Sequence, residues 1–205
     1  MASGAGDAAP AGVTGYRQTV VTTILRAMSA VKSPDPLDAW VVRGAEPGVA
    51  PAATEGLRAL LNTDDRFHGV DRLRGAGPAA LVEARDVLRG YLGGGDAAAL
   101  GALAARYPLV VAPGDPAAGG GLALVPAPGA DGDAALVGQV LAALHRAVAT
   151  GDWARLKACA NPDCQWVYHD GSRNRSVRWC SMDECGDVMK ARAYRRRSRA
   201  GTAPA

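Results

Sequence analysis

All four cysteines of the chain, Cys159, Cys164, Cys180 and Cys185, fall within 27 of its 205 residues, as two C-x4-C pairs separated by fifteen residues. Two close pairs with a short intervening arm read as a tetrahedral zinc site, because each pair brings two soft thiolates to one ion. Two disulfides would need an oxidising compartment. The first fifteen residues carry Asp7 and no Lys or Arg, so they lack the charged start of a secretory signal. No window approaches the eighteen or so uninterrupted apolar residues of a membrane span. The expectation is a cytoplasmic protein holding one zinc ion. Four thiolates leave no coordination position for water or substrate, so the site is structural rather than catalytic.

Charge follows the same division of the chain. Residues 155–199 contain 11 Lys or Arg against 5 Asp or Glu, whereas residues 1–154 contain 12 against 15. A basic module attached to a near-neutral one takes a polyanion as its default partner. The zinc moderates this reading. Zn²⁺ with four thiolates carries −2, which brings the formal net charge of +3 to about +1. Part of the basic set, Lys157, Arg173, Arg175 and Arg178 among them, can serve simply to offset the metal centre.

Between the cysteine pairs, Gln165-Trp166-Val167-Tyr168-His169-Asp170 alternates and is rich in strand formers. Gly171-Ser172 reads as a turn and Arg178-Trp179 as the returning arm, which predicts a hairpin between the pairs, with Trp166 or Tyr168 and Trp179 over the metal. The run from Asp187 to Arg199 lacks Gly and Pro and reads as a helix. A knuckle, a hairpin and a helix that supplies the second pair form a treble-clef-like arrangement.

These residues carry a family resemblance. Arg155-Leu156-Lys157-Ala158-Cys159, Asn161-Pro162-Asp163-Cys164, Trp166, Tyr168, Asp170, Ser172-Arg173-Asn174 and Arg178-Trp179-Cys180-Ser181-Met182 resemble the CGNR-type zinc finger. The second cysteine pair, Lys190 and Tyr194-Arg195-Arg196-Arg197 continue the likeness over residues 153–199. One departure stands in the signature itself: Cys-Gly-Asn-Arg reads Cys185-Gly186-Asp187-Val188 here. No zinc ligand is touched, but Val188 can neither pair with an anion nor donate a side-chain hydrogen bond. Proteins with this finger typically carry an N-terminal ABATE-type domain and are described as stress-related transcription regulators. Leu60-Leu61-Asn62-Thr63 and Ala84-Arg85-Asp86-Val87-Leu88-Arg89 resemble two motifs of that domain.

The residues ahead of the finger give a layout of their own. With aromatics at 5% and a single Phe, the core must be built from Ala, Val and Leu. Apolar positions spaced three and four apart predict a helix over 17–31, ended by Ser33-Pro34-Asp35-Pro36. A short helix follows over 54–61, another over 78–92 with Pro78 near its first turn, and a third over 96–106 capped by Asp96. Residues 109–111 and 122–125 are short strands joined by a glycine-rich loop that lacks the Gly-Lys-Ser/Thr ending of a P-loop. The longest helix runs over 133–150, with Leu136, Val137, Val140, Leu141, Leu144 and Val148 as its core stripe and Gly151 at its end. Residues 43–55 match no motif of the family. The fold class is therefore α+β: a mostly helical N-terminal domain with a small hairpin (16–152), then the four-cysteine finger (153–199). Residues 1–15 and 200–205 are expected as disordered ends.

Three functions follow. The first is a zinc-binding transcription regulator that holds DNA through Arg173, Arg175, Arg178, Lys190 and Arg192, and through Arg195, Arg196 and Arg197. Its N-terminal domain would sense a small-molecule effector at Asn62, Thr63 and Arg85, polar residues from separate elements that can converge on a pocket. Alternatively, Asn62 caps the next segment and Arg85 makes a surface ion pair. The second is a scaffold or ligand-binding protein in which the finger is a structural clasp, a reading favoured by Val188. The third is an enzyme with zinc only as a stabiliser, but no Ser-His-Asp or Cys-His set is proposed by spacing, and His68, His145 and His169 are isolated from one another.

Overall fold

The computed structural model describes residues 35–116 and 120–200, of which residues 36–200 belong to one compact unit. The helix expected over 17–31 and the segments 1–15 and 201–205 lie outside the described residues. A 3-10 turn, Pro36–Ala39, leads to α1 (Ala52–Leu61), then a two-residue ladder of β1 (Asp64–Asp65) and β2 (Val70–Asp71). Next come α2 (Ala79–Tyr91), α3 (Ala97–Arg106), the hairpin β3 (Leu109–Pro113) and β4 (Leu122–Pro126), and the long α4 (Gly132–Thr150). The last segment holds β5 (Leu156–Ala158), β6 (Val167–His169), a wide turn over Met182–Gly186 and α5 (Asp187–Ala200). The architecture is α+β, with helices around one core and, among the described residues, three short antiparallel ladders. Among the described residues, no helix is long and apolar enough to cross a membrane.

Local chemistry explains most element ends. The Asp96 carboxylate accepts from the Ala99 N–H and caps α3. Pro78 stands just outside α2, at the cap position. Gly151 ends α4 in the left-handed region (φ 80°), where its N–H reaches the Val148 carbonyl. The stripe of α4 is buried from Leu136 to Leu144, but Val148 is 50% exposed and Ala147 takes the inward position in the last turn. A helical face drifts with each turn, so the extrapolated stripe ends on the wrong side.

The core joins both halves of the described unit. Leu57, Leu60 and Leu61 of α1 pack with Leu81 and Leu88 of α2, Leu103 of α3 and Val137 and Val140 of α4. Trp153, Leu156 and Val167, from the approach to the finger and its two strands, belong to this same cluster. Tyr91 stacks on Trp153 at 5.9 Å between ring centroids. Part of the finger is thereby a wall of the helical core.

Candidate metal centre

The hairpin of the finger differs from the expected one. β6 pairs with β5, in the register Leu156↔His169, Lys157↔Tyr168 and Ala158↔Val167, and not with an arm around Arg178. The first cysteine pair is thus the turn of the hairpin. Cys159 N–H reaches the Trp166 carbonyl and Cys164 N–H the Asn161 carbonyl, closing a knuckle that directs both sulfurs inward. The reason lies in burial and in Asp170. Leu156 and Val167 enter the core together, while the Asp170 carboxylate takes Lys157 Nζ at 2.7 Å and the N–H groups of Ser172 and Val177. That carboxylate bends residues 171–177 into a loop. Burial opposes its charge, but these donors outweigh burial and hold its pKa down at about 2.

The second pair comes from the turn before α5. Ser181 Oγ accepts from the Glu184 N–H and starts the turn, and Cys185 ends it against the first residues of the helix. A side chain at Gly186 would meet Met182 Sδ at 2.8 Å and Trp179 Cδ1 at 3.2 Å, so the end of the Met182 side chain would have to shift to admit one.

These elements bring all four Sγ atoms within 4.8 Å of one another. Cys164 and Cys180 lie 3.7 Å apart and Cys180 and Cys185 3.8 Å, and all four are free of disulfides. Zinc–sulfur bonds of about 2.3 Å in a tetrahedron require sulfur–sulfur edges near ~3.8 Å, whereas a disulfide requires about 2.05 Å. The separations fit a metal. Trp166 N–H and Asn161 Nδ2 each approach a sulfur at 3.5 Å, on Cys164 and Cys185 respectively, as donors to thiolates. Trp166 and Trp179 pack against the group. Hydrogen bonding from Cys180 pulls the Cys164 thiol down, while sharing that bond pushes Cys180 up and burial pushes Cys185 up. Without a cation, the group stabilises one thiolate at the expense of its neighbours. A divalent ion lets all four ionise. The four cysteines are placed to hold one structural zinc, whose chemistry is to cross-link knuckle and helix.

The finger is fastened to α1 by a residue whose sequence neighbourhood gives no hint of it. Asn62 Nδ2 donates to the Val167 carbonyl at 2.8 Å, and its Oδ1 accepts from the Val167 N–H at 2.8 Å. Buried at 4% exposure, its amide completes the free edge of β6 as a strand would. The Trp166 Nε1–H donates to the Pro47 carbonyl and the His169 N–H to that of Gly48. Gly48 is in the left-handed region (φ 75°), and a Cβ there would sit 2.4 Å from that of Tyr168. Replacing Asn62 with Ala leaves two buried backbone groups of Val167 unpaired. The expected loss is about 2–4 kcal/mol in a denaturant melt of the zinc-loaded protein. Asn62→Asp should also destabilise, since a carboxylate accepts from the N–H but donates nothing to the carbonyl. An unchanged midpoint in both variants would show that β6 does not depend on this bridge.

The remaining candidate residues separate into two groups. Thr63 and Arg85 meet: Arg85, 1% exposed, donates to Thr63 Oγ1 at 3.2 Å, to both Asp71 oxygens at 2.6 and 2.9 Å and to Asp86 at 2.9 Å. It is buried, not at the surface, and its guanidinium faces protein partners. Asn62 faces Val167 and caps no following segment. The basic residues lie outside. Arg173, Arg175 and Arg178 are exposed on the loop after β6, Arg178 lying over the Trp179 ring at 5.1 Å. On α5, Lys190 pairs with Asp187 at 3.3 Å, and Arg192 with Asp163 of the knuckle at 2.8 Å. Arg195, Arg196 and Arg197 are exposed and pair with no carboxylate among the described residues. His145 is exposed, and His169 is half-buried with its backbone N–H engaged by Gly48.

Residues 155–198 match the CGNR zinc finger family model, a span that takes in the knuckle, both cysteine pairs and nearly all of α5. No curated protein matches the chain.

Proposed function

We infer that the chain is a zinc-dependent DNA-binding regulator in which the finger's two halves have different tasks. The β half and the first cysteine pair fasten the module to the helical core. The α5 half presents charge to a polyanion. The observation that carries this reading is the state of α5: six cations and one acid in 14 residues, with no buried side chain over 187–199. A helix whose only partly covered apolar side is Met189 and Ala193 gains little from packing, and its repeated cations repel one another. Phosphates along a groove relieve that repulsion and release counterions. The metal centre and the Arg192–Asp163 pair hold the root of α5, so its outer residues are presented from a rigid base. The resemblance of Leu60–Thr63 and Ala84–Arg89 to ABATE motifs supports a role for residues 16–152 as an effector domain.

Duplex DNA retention by zinc-loaded protein at two salt concentrations tests this. Retention should fall with salt, and replacing Arg195, Arg196 and Arg197 with Ala should lower the salt slope by about 3, one for each phosphate no longer neutralised, with zinc content unchanged. Retention indifferent both to salt and to these changes would overturn it. The buried Asn62–Val167 bridge supports a second reading, in which the finger is a structural clasp only. Zinc-loaded protein that fails to retain DNA at low salt would favour it.

A further inference from the structure

A cleft of about 560 Å³ opens beside the β1–β2 turn and the base of α2, lined by Asp64, Arg66, Asp71, Arg74, Asp86 and Arg89. Its charges do not balance. β1 and β2 place Asp64 opposite Asp71, a like-charged pair that calls for cations nearby. Arg85 and Arg74 both engage Asp71 and Asp86, and Arg66 engages Asp64 at 2.9 Å. Each carboxylate therefore already has a guanidinium against it. Arg89 is the fourth guanidinium beside three carboxylates, and its nearest carboxylate oxygen, on Asp64, lies 3.9 Å from its Nε. That side chain is 9% exposed and Nε is buried with no hydrogen-bond partner. Its other nitrogens donate only to carbonyls, those of Leu61, Asp64 and Gln165. Burial and the neighbouring Arg66 both act to lower its pKa, the mark of a cation short of counter-charge.

We propose that this cleft binds a small oxyanion, a free carboxylate or phosphate compound, with the Arg89 side chain at its floor and Arg66 and Arg74 closing over it. Arg66 and Arg74 suit that role: they are 43% and 68% exposed, so their heads can turn from Asp64 and Asp71 to the anion. Planar guanidiniums recognise carboxylate and phosphate through paired N–H donors. The cleft also touches the finger. Arg89 Nη1 donates to the carbonyl of Gln165, next to Cys164, and Arg66 holds the Gln165 side chain. An anion drawing on these arginines would be felt at the knuckle. The binding itself does not depend on whether α5 takes DNA.

The test is calorimetric titration of full-length, zinc-loaded protein, without DNA, using inorganic phosphate and succinate as probes against chloride of matched ionic strength. Saturable one-site binding of at least one probe is expected. The double variant Arg66→Ser/Arg74→Ser, confined to exposed side chains, should weaken it by about tenfold or more, as the loss of charge-assisted bonds implies. Arg89→Lys, which keeps the charge but removes Nε–H, should weaken it too. Arg195→Ala/Arg196→Ala/Arg197→Ala should leave it unchanged. The absence of saturable heat for both probes would overturn the proposal. So would binding that is lost in the α5 variant and kept in Arg66→Ser/Arg74→Ser, which would place the anion on the DNA-facing helix.

Discussion

Removing the metal will unfold far more than the finger: chelation, or replacement of Cys159 or Cys185 with Ser, should lower the melting temperature of the whole unit by more than ~10 °C. The size follows from two magnitudes. Structural zinc in four-ligand sites contributes an apparent ~10–16 kcal/mol of binding free energy, which in such sites is folding free energy. A domain of ordinary stability has only ~5–15 kcal/mol in all. The spread beyond the finger follows from the packing. Leu156 and Val167 are buried in the helical core, and Asn62, Pro47 and Gly48 are bonded to Val167, Trp166 and His169. A knuckle that opens therefore exposes a wall of the core. Cys159 and Cys185 are 3% and 1% exposed, so either Ser variant leaves a small polar group in a closed site of thiolates. Near-UV circular dichroism from Trp166 and Trp179, which pack on the cysteines, should disappear in step with the far-UV helical signal. A metal-free protein with an unchanged far-UV melt would show that the finger is an independent appendage.

What can be read in the sequence, and what cannot, divides along the range of the interactions involved. The four-cysteine spacing, the Asp96 cap and the stripe of α4 through Leu144 depend on residues a few positions apart, and the structure has them where their chemistry puts them. The partner of β6 is not legible, because three residues, Leu-Lys-Ala, make too short a strand to announce itself. What selects that strand is the burial of Leu156 beside Val167, a tertiary matter. Asn62 acts on a residue 105 positions away, so its short motif conveys nothing about the role. Arg85 and Arg89 lie one helical turn apart on α2, yet one is saturated with carboxylates and the other has none within hydrogen-bond reach. The adjacent Asp86 and the placement of Asp71 on the β1–β2 ladder together distinguish them. Residues 44–50 have no helical or strand periodicity because their order comes from charged side chains. One signal is available: Glu55 and Arg58, spaced i and i+3, stand on the same helix as the core residues Leu57, Leu60 and Leu61. Charges among core positions mark a buried polar network.

Arg58→Ala should be the most damaging substitution away from the metal, at about 3–5 kcal/mol or roughly 10–15 °C of melting temperature. Arg58, with no exposed side-chain surface, grips Glu55 through Nε at 2.8 Å and Nη2 at 2.7 Å. Nη2 also donates to the Ala45 carbonyl at 2.6 Å. Glu55 in turn accepts from the N–H groups of Gly44 and Ala50, each at 2.8 Å. Together the two side chains supply hydrogen bonds that residues 44–50 cannot make as a helix or strand, and that loop carries the carbonyls that receive Trp166 and His169. Truncating Arg58 leaves a buried carboxylate without its cation. Many buried ion pairs can be exchanged for apolar residues with little loss. Here Glu55→Leu/Arg58→Met should stay strongly destabilised, because the loop's N–H and carbonyl groups would lose their partners as well. Burial alone would raise the Glu55 pKa, but the bonds from Arg58, Gly44 and Ala50 outweigh it and lower the value below 4.5. A carboxylate depressed in the folded state stabilises fully above its unfolded pKa, and the contribution is lost as pH falls from there through the folded value. Acid also protonates the zinc thiolates, so the difference between wild type and Glu55→Gln isolates this group. That difference should be largest at neutral pH and shrink as pH falls below about 4.5, where the unfolded carboxylate takes up its proton first and the folded one only at lower pH. A constant difference across that range would mean that Glu55 acts through its shape and not through its charge.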